Sequence, residues 1–169
     1  MSAESTPRLT LPLLAAGQAQ KEMFHNEALA RLDLLVQGSA EDMGAEIPPE
    51  DPEPGQAWVL GADPTGAWAG HAHALAGWTE GGWRFAAPRE GTRVWVAQEG
   101  AFALFSGGSW TIGEVRGRVV VEGHQVVGRR GAAIGDPAGG TTVDVEARIA
   151  LSAVLAAMRA HGLIDPANL

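Results

Sequence analysis

All six tryptophans of this 169-residue chain lie in one segment, residues 56–113, which glycine-containing turns divide into short apolar runs. Two of these turns, Gly81-Gly82 and Gly107-Gly108, supply the positive φ angles that tight hairpins need. Short apolar runs between closely spaced turns are typical of β-strands. The candidate strands are residues 57–60, 67–68, 74–78, 83–85, 93–96, 102–105 and 110–112. This segment therefore predicts a small antiparallel Trp/Gly-rich sheet or barrel.

A faint internal repeat runs through the same segment. Residues 74–83 resemble residues 103–110: in each, a strand, a glycine turn and a return strand headed by Trp follow one another. Two copies favour stacked hairpins over a solenoid, which needs at least about three repeats.

The flanking segments favour helices and a linker. Residues 18–36 carry apolar side chains at helical spacing, with Asn26 as a candidate cap and Gly38 as a candidate end. Residues 45–55 form a Pro-rich acidic linker. We therefore expect four segments and a mainly β (α+β) fold flanked by an N-terminal and a C-terminal helix. The segments are an N-terminal helical attachment segment (1–44), the linker (45–55), an antiparallel β module (56–113), and a β-hairpin with a C-terminal oligomerisation helix (114–169).

The C-terminal helix is predicted over residues 144–161, with Asp144 as its N-cap and Gly162 as its stop. Apolar side chains occupy two sides of it, and alanines fill the gaps. A helix that is apolar on two sides must be covered on both, and in a short chain one cover can come from a neighbouring subunit. The residues we expect at this oligomer interface are Ile149, Leu151, Leu155 and Met158.

Composition and charge exclude several function classes. A net charge of −8 with few clustered arginines argues against binding nucleic acid or an anionic membrane surface. The apolar stretch 9–16 is too short for a signal peptide and is interrupted by Pro12, so we expect synthesis in the cytoplasm. The absence of Cys rules out disulfides and thiol nucleophiles.

Catalytic constellations are missing from the sequence pattern. No Ser stands in a Gly-x-Ser-x-Gly elbow, and the acidic residues fall mostly in turns or the linker. His71 and His73 would share a strand face, which suits a metal site if a third ligand comes from elsewhere; the alternative is one His packed on Trp68 or Trp78 and the other in solvent. We expect no enzymatic activity, no metal and no cofactor.

The tryptophans leave two readings open. Flat aromatic rings bind sugar faces, but a small sheet can also use Trp as its core. We expect Trp58, Trp83, Trp95 and Trp110 in the core, because they sit in hydrophobic strands. Trp68 and Trp78, with His71 nearby, are the candidate surface contacts for a glycan or a partner.

Three stretches of the chain resemble the DUF2793 family. The opening is TPRLTLPLLAAGQAQKE (6–22) with HNEALARLD (25–33), and the central signatures are GAWAGH (66–71) and GWRFAAPREG (82–91). The closing segments VVGRRGAAI (126–134), DVEAR (144–148) and HGLI (161–164) are also similar to family members. The resemblance covers nearly the whole chain.

Domains of this family occur in tailed-phage fibres and in virion-like gene transfer agents. The resemblance therefore implies a virion component, a head spike or tail fibre that forms a homotrimer and contacts other virion proteins, and it assigns no catalytic residue. The expected location is the particle, after synthesis in the bacterial cytoplasm. The alternative function is a carbohydrate-binding module that recognises a bacterial capsular or other surface polysaccharide.

Overall fold

The computed structural model describes residues 4–15, 17 and 21–165, which fall into two compact units, Met1–Val115 and Arg116–Leu169. Among its described residues, the first unit contains one α-helix and eight strands. They are α1 (Lys21–Leu35), β1 (Ser39–Ala40), β2 (Met43–Ala45), β3 (Ala57–Leu60), β4 (Leu75–Thr79), β5 (Gly82–Ala86), β6 (Arg93–Val96), β7 (Ala101–Ser106) and β8 (Ser109–Ile112). The second unit contains β9 (Val119–Val121), β10 (His124–Val127) and α2 (Val145–Ala160). The fold is mainly β with two helices, as predicted, and its sheets form no closed barrel among the described residues.

Two sheets of the first unit share one plan. The first sheet has the order β2-β3-β4-β5 and the second the order β1-β6-β7-β8. In each, a very short strand pairs in parallel with the first strand of an antiparallel three-stranded meander. The parallel strands were not predicted, because two or three residues are too few to show an alternating pattern. The predicted segment boundary between residues 44 and 45 falls inside β2.

The turns that enter the two meanders are built alike. Gly55 donates its backbone N–H to the carbonyl of Trp78, and Gly91 donates to the carbonyl of Phe105, both at 2.9 Å. The next residue, Gln56 or Thr92, bonds back across its turn with its own side chain. Backbone groups that would otherwise be unpaired are thereby satisfied in the same way twice.

The return strands repeat as well. Trp78 faces Trp83 across β4 and β5, and Phe105 faces Trp110 across β7 and β8. Their ring centroids lie 5.0 and 5.3 Å apart, at interplanar angles of 64° and 63°. The repeat predicted from sequence is therefore present, with Trp83 equivalent to Trp110. The meanders differ mainly in the loop after their first strand: residues 61–74 in one, 97–100 in the other.

The main core lies between the sheets and α1. Ala57, Val59 and Leu75 of the first sheet pack with Val94 of the second and with Leu34 of α1. The approach of the helix is close, since a Cβ added at Gly77 would lie 2.7 Å from Leu34 Cδ1. At the edge strand β5, Arg84 Nε lies 2.6 Å from Glu27 Oε2 and ties the sheet to the helix.

The ends of α1 differ from the prediction. The first predicted residues, 18–20, lie outside the described part of the chain. Asn26 does not cap the helix: it lies within α1, where its amide bonds the backbone N–H and C=O of Leu14 at 2.9 and 3.0 Å. At the other end Gln37, not Gly38, takes the left-handed conformation, with φ of 48°. Gly38 instead lies close to Val94.

A buried carboxylate joins the N-terminal segment to α1. Asp33 is 3% exposed and accepts hydrogen bonds from the Thr6 hydroxyl at 2.7 Å and from the backbone N–H groups of Arg8 and Leu9 at 3.1 and 2.6 Å. The Arg8 guanidinium adds bonds to the carbonyls of Asp33 and Gln37 at the end of the helix. A carboxylate can be buried only when its lone pairs are satisfied in this way.

The second unit consists of a hairpin, a long loop and a helix. β9 and β10 are antiparallel, as predicted. Asp144 caps α2, accepting from the N–H of Ala147 at 2.8 Å, and Gly162 follows the helix with φ of 68°. Arg148 and Arg159 bond the carbonyls of Gly139 and Ile134 and so hold α2 to the preceding loop. The helix boundaries were predicted within a residue, because both end signals stand in the sequence.

The Asp33 network gives a first prediction. Asp33→Asn removes the charge and one of the two acceptor oxygens, so the free energy of unfolding of the first unit should fall by about 1–3 kcal/mol. Urea unfolding followed by Trp fluorescence reports this unit alone, because every Trp lies within residues 58–110. The exposed Asp51→Asn serves as the control and should leave the midpoint unchanged. Equal midpoints for the two variants would contradict this account of Asp33.

Candidate functional site

The first candidate surface contact, Trp68, is fully buried. It lies in a short 3-10 helix, Gly66–Trp68, and not in the predicted strand 67–68, and its exposure is 0%. Its ring packs 6.0 Å from Trp58 and 5.1 Å from Trp83. The expectation that Trp68 is exposed is wrong: loop 61–74 folds it over the apolar face of the first sheet, where it joins a core cluster with Leu60 and Ala76.

The second candidate, Trp78, lies on the same face of the sheet and is half-buried. Its ring meets Trp83 edge-on, so part of its surface is used in packing. We define the tryptophan face of the first sheet as the side chains of Trp58, Ala76, Trp78, Trp83 and Phe85. Trp68 covers part of this face, and Trp78 keeps some contact with solvent.

His71 and His73 do not form a pair. Both lie in loop 61–74, and His73 takes a positive φ of 60°. The His71 ring stacks on Phe85, with centroids 3.7 Å apart and planes at 5°, whereas His73 lies 6.4 Å from Phe105 of the other sheet. The shared strand face expected from their spacing is therefore absent. Among the described residues, no group of three or more His, Cys, Asp or Glu side chains is placed to hold a metal ion.

The exposed ring of His71 lines an open cleft of about 360 Å³. Trp83 and Phe85 contribute its apolar side, and the charged side chains of Glu27, Arg31 and Arg84 lie opposite. Glu27 bonds both arginines, at 3.1 and 2.6 Å, so its carboxylate offsets one of their two positive charges. In this cleft His71 lies beside Trp83 and Phe85 of the tryptophan face, but neither Trp68 nor Trp78 is among the lining residues.

The second sheet carries an exposed aromatic patch that includes Trp95, which we expected in the core. Trp95 and Phe102 are cross-strand partners, 39% and 44% exposed, and their rings meet edge-on at 5.1 Å. The Arg93 guanidinium lies 4.7 Å from the centre of the Phe102 ring, within cation–π range. We call Arg93, Trp95 and Phe102 the aromatic patch. The predicted burial of Trp95 is wrong, and the alternation in β6 could have shown this, since Trp95 shares a strand face with the charged Arg93.

The other tryptophans expected in the core are partly buried. Trp58 and Trp83 pack in the cluster around Trp68. Trp110 packs against the main core, and its indole N–H donates to the carbonyl of His73 at 2.8 Å. A buried indole usually needs such a partner. This bond also ties loop 61–74 to the second sheet.

The predicted interface residues of α2 lie on an uncovered helix, on which no residue is buried. Ile149 and Leu151 are 65% and 53% exposed, and Leu155 and Met158 are half-buried. Within the described part of the chain, no helix is long and apolar enough to cross a membrane.

The sequence matches one family model, described as "Protein of unknown function (DUF2793)", over residues 25–111. The matched region runs from within α1 through both sheets to β8, so it includes the tryptophan face and the aromatic patch. The second unit lies outside the match. No curated protein matches the chain in sequence.

The burial of Trp68 gives a second prediction. Trp68→Ala removes a ring enclosed by Trp58 and Trp83 and should lower the free energy of unfolding by about 3–5 kcal/mol. Trp95→Ala is the matched control: because its ring is partly exposed, the loss should stay below about 2 kcal/mol. Urea unfolding followed by the fluorescence of the remaining tryptophans measures both. A Trp68→Ala protein as stable as Trp95→Ala would show that Trp68 is not part of the core.

Proposed function

The chain belongs to the DUF2793 family, and we propose that it is a structural component of a phage or gene-transfer-agent particle, a spike or fibre protein that serves assembly and host-cell attachment. In this proposal it is not an enzyme and uses no cofactor. Its partners are copies of itself, as a homotrimer, and other proteins of the particle, and its location is the particle.

The observation that carries the proposal is the uncovered apolar surface of α2. Single exposed hydrophobic residues are normal, but contiguous apolar patches mark sites of association. Residues 149–158, which read IALSAVLAAM, contain no charged side chain. The arginines nearest to this run, Arg148 and Arg159, are engaged with the preceding loop of the same chain.

An uncharged apolar helix surface favours association with identical copies. Like charges would repel one another across a symmetric interface, and this surface brings none. The alanines between Ile149 and Leu155 also allow helices to approach closely. These features support self-association through the four predicted residues, Ile149, Leu151, Leu155 and Met158, and a trimer is the state that the family resemblance implies.

A third prediction tests this association. The full chain should sediment as a trimer at micromolar concentration, and Ile149→Glu combined with Leu151→Glu should give a monomer, because buried unpaired carboxylates oppose assembly. Ala62→Glu, which adds the same type of charge on an exposed loop of the first unit, is the control and should leave the mass unchanged. A wild-type chain that sediments as a monomer would contradict the assembly role.

The location in a particle has its own test. Mass spectrometry of purified particles from the source cells should detect the chain, and antibody labelling in electron microscopy should place it at a head vertex or on a tail. Particles of normal composition that lack the chain would contradict the proposal.

A carbohydrate-binding module is the second candidate, and the aromatic patch favours it. Exposed Trp and Phe rings present apolar faces that can stack on pyranose C–H groups. Arg93 adds a cation with no ion-pair partner among the described residues. Its guanidinium can pair with a carboxylate of an acidic polysaccharide. Trp78 lies in β4 of the first sheet and is half-buried, and His71 lies in loop 61–74 with its ring stacked on Phe85.

The fourth prediction concerns this patch. Trp95→Ala and Phe102→Ala should each weaken binding to an acidic capsular polysaccharide by about two- to tenfold, since aromatic contacts contribute on the order of 0.5–1.5 kcal/mol. Phe24→Ala, which removes a more exposed ring from α1, is the control. Isothermal titration with purified polysaccharides measures the change. Equal affinity in all variants would show that the aromatic patch does not bind the polysaccharide.

A further inference from the structure

The hairpin of the second unit exposes valines on both of its faces. In β9, Val119 and Val121 point to one side and Val120 to the other, because side chains alternate along a strand. All three are more than half exposed, and Val127 of β10, which pairs with Val119, is 47% exposed. A hairpin with neither face covered is at best marginally stable in water.

The rest of the second unit offers little to cover these valines. Of the hydrophobic residues in this unit whose burial is described, Ile164 alone is buried. Its strand-like bridge to Gly131 and the bonds of Arg130 to the end of α2 fasten the loop to the helix without forming a core. The described residues of the second unit therefore bury little apolar surface to offset the conformational entropy of an ordered chain.

We propose that β9 and β10 form a second self-association surface, so that the second unit completes its core only when copies of the chain assemble. This inference rests on the proposed function and deepens it: α2 is not the whole interface, and the folding of residues 116–165 is coupled to association. The partner is a second copy of this chain, whose valines cover those of the first.

The chemistry of the unit favours a copy of itself as the occupant. Residues 116–169 contain no Trp, Tyr or Phe, so the unit has neither rings for sugar stacking nor the aromatic belt of a membrane-interface segment. The strands themselves carry no charged residue, since Glu122 stands in the turn with a positive φ of 48°. Uncharged aliphatic surfaces that pack on identical copies resemble the cores of obligate oligomers.

The test compares Val119→Thr/Val121→Thr with wild type in the full chain. The two threonines keep β-branching and strand propensity but replace apolar methyl groups with hydroxyls. We expect the concentration for half-dissociation, measured by analytical ultracentrifugation, to rise by about tenfold or more. Val143→Thr, at an exposed valine outside the hairpin and α2, is the control and should shift it by less than about twofold.

Hydrogen exchange gives the second readout. Amides of residues 119–127 should be protected in the wild-type oligomer and lose that protection on dilution, while Trp fluorescence shows the first unit still folded. An oligomer whose mass resists the double substitution, with hairpin exchange independent of concentration, overturns the inference and leaves assembly through α2 standing. A wild-type monomer at every concentration overturns both. Flotation of the chain with liposomes through the hairpin would assign these valines to a membrane and overturn self-association.

Discussion

The carboxylate of Asp33 is the contact on which the arrangement of the first unit depends. It is buried near the end of α1 and is satisfied by the Thr6 hydroxyl and by two backbone N–H groups of the N-terminal segment. The Arg8 side chain reaches the helix-end carbonyls and Ser39 at the start of β1. One polar network therefore sets where the helix ends and where the chain enters the second sheet, and the apolar packing of Leu34 against Gly77 follows from that position.

Beyond that anchor, the first unit is one small motif used twice. Each sheet joins a short parallel strand to an antiparallel meander, and the turn before each meander is closed by equivalent backbone bonds. The two copies differ in which of their side chains are covered and which are exposed to solvent. In the first sheet, loop 61–74 brings Trp68 over the tryptophan face and closes it. In the second sheet, Trp95 and Phe102 stand at the positions that Val59 and Leu75 hold in the first, as the matching backbone bonds show, and they stay exposed. The positions that face the main core in one copy therefore face solvent in the other.

Local signals explain which parts of this fold the sequence could predict. Glycine pairs at tight turns, and Asp144 with Gly162 around α2, act within a few residues, so the six strands of the two meanders and the ends of α2 were predicted well. The short strands β1 and β2 form by pairing with strands distant in sequence, and they are too short to show an alternating pattern of apolar residues. The predicted burial of Trp68 and Trp95 was wrong for a related reason: it depends on residues distant in sequence. The small neighbours of Trp68 suggested that it is exposed, but the folded loop 61–74 encloses it. The hydrophobic strand around Trp95 suggested that it is buried, but the opposite face of that strand meets the core.

The two units solve the problem of apolar burial in different ways. In the first, sheets, helix and loop cover one another and enclose two core clusters. In the second, the apolar side chains of α2 and of the β9–β10 hairpin stay exposed although α2 is well capped and held by Arg148 and Arg159. Local signals can define a helix and a hairpin, but they supply little of the burial that makes either persist. The proposed assembly through the second unit would supply the apolar burial that its described residues lack.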